Sequence, residues 1–164
     1  MIKGWLTIFT SFVLSFNCYG QLNNNCTRTK VLLKAHVGKE YRFRNKDKTI
    51  TYLTYLGKVE TRKGGTYKVM TSIWIWGLSH RATSRVLIFN KYNHFVGEYY
   101  VGMTYDLPSK LKNNKLLFFN IDKEGSGCDP KLITYIDLSN GLPKEIFIKC
   151  KGNSGDIYTF SKEQ

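Results

Sequence analysis

No apolar run in this sequence is long enough to cross a bilayer as a helix. The longest, Trp5 to Phe16, falls well short of the roughly 20 residues that a spanning helix needs. It follows Lys3 and leads to the small residues Cys18 and Gly20, the layout of a secretory signal peptide cleaved before Gln21. A cysteine after an apolar run also marks lipoproteins, but bulky Phe16 and polar Asn17 stand where small residues belong. Lipid anchoring through Cys18 is therefore the lesser reading, and export to a secreted or periplasmic compartment the leading one. Such a compartment is oxidising, which makes disulfides available and intracellular cofactor chemistry unexpected.

Helical periodicity is scarce as well. From Val31 onward apolar residues recur at every second position, the period of a strand. Val31, Leu33, Ala35 and Val37 read as one strand face. Further runs span 41–44, 50–56, 66–76, 85–92, 95–101, 115–121, 132–138, 145–150 and 156–160, rich in the β-branched and aromatic residues that suit a pleated surface. Gly57-Lys58, Gly64-Gly65, Asn93, Asn113-Asn114, Gly125-Ser126-Gly127, Asn140 to Pro143 and Gly152 to Gly155 supply turn chemistry between them. One short helix is expected near 106–112, with Asp106 as its cap and Pro108 in its first turn. Without long helices to carry parallel crossovers, the fold class is all-β: a single antiparallel β-barrel or β-sandwich of about 8–10 short strands. The organisation expected is a signal peptide over 1–20, a polar N-terminal arm over 21–30 and one β domain over 31–164. A membrane-spanning barrel is disfavoured, because charged residues interrupt most outward rows.

Arginine is missing from the second half and acid is nearly missing from the first. Residues 28–48 hold eight basic groups against Glu40 and Asp47, and residues 58–91 hold seven against Glu60. From Tyr92 onward nine lysines balance nine acids, so the first half carries the excess behind the formal charge of +13. Arg28, Arg42, Arg44, Arg62, Arg81 and Arg85 all lie there, and a guanidinium grips carboxylate, sulfate or phosphate with two parallel hydrogen bonds. This asymmetry points to an anion-facing surface. Arg42 and Arg44 on one strand face, with Lys30 and Lys34 on a neighbouring strand, are its expected centre. Trp74 and Trp76 alternate with Ile73 and Ile75, so their indoles share a face. They read first as core, and second as a stacking platform for sugar rings or bases.

Signatures of catalysis are lacking. No glycine-rich phosphate cradle and no serine elbow occurs, and His36, His80 and His94 lack the close spacing of a zinc site. The run Asp122 to Gly127 begins like a calcium loop, but Ile133 stands where a bidentate carboxylate belongs, so no metal is expected. No cofactor is expected either. Asn25-Cys26-Thr27 satisfies the glycosylation sequon, which matters only in a eukaryotic host. Cleavage leaves Cys26, Cys128 and Cys150, of which Cys128 and Cys150 adjoin strands and form the expected bridge. The reading is a secreted or periplasmic binding domain, more an interaction module than an enzyme, that meets an anionic polymer, lipid headgroup or acidic protein. Nucleic acid fits the compartment poorly. The rival readings are a small extracellular hydrolase with dispersed site residues and an envelope structural component with no small ligand.

Overall fold

A computed structural model describes residues 24–120 and 127–162. The signal peptide, its cleavage point before Gln21, Cys18 and the calcium-like run from Asp122 lie outside the described residues. Helix α1 (Asn24–Lys34) comes first, then β1 (Glu40–Arg44), β2 (Ile50–Glu60), β3 (Thr66–Trp76), β4 (Arg81–Asn90) and β5 (Phe95–Val101). A 3₁₀ turn over Thr104–Asp106 leads to β6 (Lys110–Lys112), β7 (Lys115–Phe119), β8 (Ile133–Asp137), β9 (Glu145–Lys151) and β10 (Ser154–Lys162). All pairings are antiparallel. One sheet of seven strands runs β1-β2-β3-β4-β5-β10-β9, and a second of three runs β6-β7-β8. The two pack face to face as a sandwich, the member of the expected pair of architectures that the topology selects.

The core between the sheets draws Leu56, Val59, Val69, Val86, Ile88, Tyr99 and Val101 from the centre of the large sheet. Leu116 and Phe118 of β7, Leu138, and Ile146 and Ile148 of β9 close on them. Asn114, at the left-handed β6–β7 turn with Asn113, fastens the small sheet to β2: its Nδ2 donates to the Glu60 carbonyl (3.0 Å) and its Oδ1 accepts from the Glu60 N–H (3.1 Å). The Lys149 N–H donates to Thr134 Oγ1 at 3.0 Å, joining β9 to β8.

The large sheet has a second buried face. Leu53, Tyr55, Met70, Leu87 and Phe89 point away from the small sheet and are covered by Val31 and Leu32 of α1, with Tyr41, Phe43 and Phe95 at the margin. This double burial explains why Val86 to Phe89 are all buried in sequence, without the alternation of a half-exposed strand.

Three local expectations change. Residues 31–34 are helix, not strand: Thr27, Val31 and Leu32 form the buried stripe, while Leu33 and Val37 are 71% and 65% exposed. Val31-Leu32-Leu33 fits either period over so short a window, and the uncovered apolar face of the sheet selects the helix that can cover it. The helix thus spans the boundary drawn at residue 30 between polar arm and β domain. Gly57 is no hairpin turn but a bulge inside β2, with φ of 134° and a register shift between Tyr55 and Gly57. The helix expected near 106–112 is reduced to the 3₁₀ turn at Thr104–Asp106, and Lys110–Lys112 pair with β7 instead.

Candidate functional site

Helix α1 covers only part of the outer sheet face. Strands β3 and β4 continue past it to a short hairpin loop, where Gly77 and His80 both take positive φ. The register of that hairpin sets Trp76 opposite Arg81, Trp74 opposite Thr83 and Ser72 opposite Arg85. Ser72, Trp74 and Trp76 alternate onto the helix side of the sheet, as do Thr83 and Arg85 across from them.

The indoles of Trp74 and Trp76 stack on each other with centroids 5.8 Å apart, and each is more than a third exposed. The reading of these tryptophans as core is therefore replaced by the exposed alternative. No element covers this end of the sheet among the described residues, and Trp76 Nε1 is satisfied at the surface by donating to Thr83 Oγ1 at 3.1 Å. The Arg81 guanidinium lies 6.0 Å from the Trp76 ring, and that of Arg85 lies 5.8 Å from the Tyr100 ring, within reach of cation–π attraction.

Where α1 meets this open strip, Thr27, Arg28, Thr51, Leu53, Ser72, Trp74 and Arg85 line a pocket of about 250 Å³. Thr51 is buried, and its Oγ1 meets no hydrogen-bond partner among the described residues. Arg85 Nε lies 3.4 Å from Glu98 Oε1, an ion pair whose geometry makes no hydrogen bond and leaves Nε likewise without a hydrogen-bond partner. An unmatched buried hydroxyl costs about 1–3 kcal/mol, so two such atoms in one pocket make it polar and unsaturated. Its walls carry no carboxylate, imidazole or thiol. No group of three metal-ligating side chains occurs among the described residues.

The residues expected to form the anion-facing centre do not come together. Lys30 and Lys34 ride on α1, on the helix side of the sheet, with the Lys34 ammonium 5.0 Å from the Tyr41 ring. Arg42 and Arg44 alternate with Tyr41 and Phe43 on edge strand β1, and so point to the opposite side; Arg42 lies 6.0 Å from the ring of Tyr52, its partner in register. Trp74 and Trp76 gain instead the neighbours Arg81 and Arg85, whereas the Arg28 guanidinium lies 5.2 Å from the Phe95 ring. The signal for Arg81 was present in the sequence. Trp76 and Arg81 flank the four-residue loop Gly77 to His80, and a hairpin closed by that loop makes them partners. Arg28 and Thr27 gave no such signal, because their place depends on how α1 lands on the sheet.

Cys128 and Cys150 are bridged as expected, with Cα atoms 4.4 Å apart, and Cys26 lies outside any disulfide. Such a bond persists in an oxidising compartment. Among the described residues no helix is long and apolar enough to cross a membrane. No protein-family model, curated protein or solved structure matches the chain.

Proposed function

We propose that the chain is an exported binding domain that meets an anionic partner through the open strip of its large sheet. The observation that carries this reading is the grouping of Arg81 and Arg85 with the exposed Trp74–Trp76 pair on the sheet face that α1 leaves bare. Guanidiniums supply charge and bidentate hydrogen bonding, and indoles supply rigid apolar area at small entropic cost. The basic excess of the first half then acts mainly as long-range attraction around this strip. The hydrolase reading gains nothing from the pocket, whose walls hold none of the usual acids, bases or thiol nucleophiles. Export is supported by the N-terminal apolar run and by the disulfide.

Two double variants with equal loss of charge test the strip against the opposite face. Arg81→Gln with Arg85→Gln should weaken binding to acidic polymers and flatten its dependence on salt, while Arg42→Gln with Arg44→Gln should change both far less. The panel is a polyuronate, polyglutamate and phosphatidylglycerol vesicles. Equal behaviour of the two variants, or no salt-sensitive ligand in the panel, overturns the proposal. Intact mass of the exported protein tests its origin: the expected start is Gln21, and a lipid adduct on Cys18 would contradict it.

A further inference from the structure

The outer face of the small sheet carries a second set of exposed groups, on the far side of the sandwich from α1 and the tryptophans. In β7, Leu116 and Phe118 turn into the core, so Lys115, Leu117 and Phe119 turn away from it. Register sets Lys110 and Lys112 of β6 beside Leu117 and Lys115, and Tyr135 and Ile133 of β8 beside Leu117 and Phe119. They form an open dish of about 510 Å³ with an apolar floor and a lysine rim. Tyr135 is 56% exposed and Phe119 and Ile133 are more than a third exposed, with no element over them among the described residues. Grouped apolar side chains rimmed by charge mark an interaction surface.

The chemistry of the rim points to the partner. The Lys110 ammonium lies 5.6 Å from the Phe119 ring, and none of Lys110, Lys112 and Lys115 has an ion-pair partner within 4.0 Å among the described residues. Against these three stands Asp137, which faces Lys115 in register and accepts the Ser139 N–H at 2.8 Å, so the face keeps a positive excess. Its rim cations are lysines alone, where the strip has arginines. A guanidinium fork suits a fixed anion, whereas an ammonium on a flexible stem suits charges that shift position, as headgroups in a fluid bilayer do. Lysine stems can lie along apolar surface while their ammoniums reach the phosphates, and a tyrosine ring is at home between acyl chains and headgroups. A second copy of the chain would set lysine against lysine, which opposes self-association here.

We propose that the outer face of the small sheet docks the exported domain on an anionic lipid surface. Phe119, Ile133 and Tyr135 meet the acyl boundary, and Lys110, Lys112 and Lys115 lie among the headgroups. The proposal goes beyond the strip and does not depend on it.

Sedimentation of the mature chain with vesicles tests this. Wild type should bind mixed phosphatidylglycerol and phosphatidylcholine vesicles but not phosphatidylcholine alone. Each lysine near an anionic surface changes partitioning about fivefold, so Lys110→Gln, Lys112→Gln and Lys115→Gln together should lower it about a hundredfold. The same charge removed from turns of the large sheet, by Lys46→Gln, Lys48→Gln and Lys91→Gln, should lower it less than about fivefold, because the attraction fades within a Debye length. Ile133→Ser with Tyr135→Ser keeps every charge and should lower it about tenfold through lost apolar contact. All these side chains are exposed, so Tm should stay near that of wild type.

Equal losses in the two lysine variants overturn the proposal, since only diffuse attraction would remain. Full binding by Ile133→Ser with Tyr135→Ser overturns it as well. If Arg81→Gln with Arg85→Gln abolishes vesicle binding while the Lys110, Lys112 and Lys115 variant keeps it, the membrane belongs to the strip and the proposal fails. Polyglutamate captured through the three lysines, with no binding of vesicles, overturns it in favour of an acidic protein at this face. Acidic polymers test the strip separately, and their binding there should not change in the lysine variant.

Discussion

Strands β3 and β4 pass through two environments. In their middle, Met70 and Leu87 lie under α1 on one side while Val69 and Val86 lie under the small sheet on the other, so every residue there is buried. Toward the Gly77–His80 loop the same strands carry Trp74, Trp76, Arg81 and Arg85 on the helix side, where no element covers them among the described residues. The backbone pairing is continuous through both. What differs is whether a second layer lands on the face, and with it whether a side chain contributes to folding or is available to a partner. Apolar aliphatic residues where the layer lands and indole–guanidinium pairs where it does not are the composition expected of a core and an interface on one sheet.

The strongest way to break that contrast is to truncate each side in turn. Leu87→Ala should cost about 2–5 kcal/mol, because α1 and Met70 leave little room to collapse into the hole. Trp74→Ala should cost only about 1 kcal/mol, the loss of a stacked pair that is already partly in water, yet it should abolish binding. Urea unfolding checks both. Similar losses of stability would mean that the tryptophans belong to the core after all.

Next in size is the disulfide. Cys128→Ser should lower stability by about 3 kcal/mol, the chain-entropy value for a closed loop of 22-residue separation. Binding at the open strip should not change. Cys26→Ser, in contrast, should leave Tm nearly unaltered. A binding defect in Cys128→Ser at a temperature where the protein stays folded would show that the strip depends on the disulfide.

The smallest contrast sits in two adjacent tyrosines. Tyr99 faces the inter-sheet core and donates its hydroxyl to the Pro143 carbonyl at 2.7 Å, while Tyr100 faces the open side beside Arg85. Burial pushes the Tyr99 phenol well above its ordinary value near 10, and burial next to the Asp106 carboxylate does the same for Tyr158. A phenol whose pKa is raised by folding stays protonated in the native state after the unfolded chain has ionised. Stability should therefore be complete below pH 10 and fall as pH rises beyond it. Tyr99→Phe should cost about 1 kcal/mol at neutral pH and make the alkaline loss less steep, whereas Tyr100→Phe should leave stability at neutral pH unchanged. Thermal unfolding from pH 7 to pH 11 measures this, and parallel curves for wild type and Tyr99→Phe would refute it.

Much of the sheet was legible because it is written in local chemistry. The bounds read for 66–76 and 95–101 are those of β3 and β5, since β-branched alternation between glycine and asparagine turns needs no distant partner to be recognised. Asn113-Asn114 is a turn because both residues tolerate positive φ. Gly97, inside β5, gave no such sign: a side chain there would strike the β10 backbone at Ser161, a contact visible only once the strands are paired. Of the candidate site, Trp74 and Trp76 were found by their shared parity, but Arg42, Arg44, Lys30 and Lys34 were grouped by nearness in sequence, which does not decide the side of a sheet.

The sequence by itself determined an antiparallel all-β chain with a basic first half and the Cys128–Cys150 pair, because strand period, turn residues, charge and cysteine placement are properties of short segments. Only the tertiary structure decided that Val31 and Leu32 belong to a helix, that the sheets form a sandwich, and that Arg81 and Arg85 lie beside the tryptophans while Arg42 and Arg44 face away. Those outcomes depend on which face is left uncovered when layers stack, and that is a property of surfaces made by the whole chain.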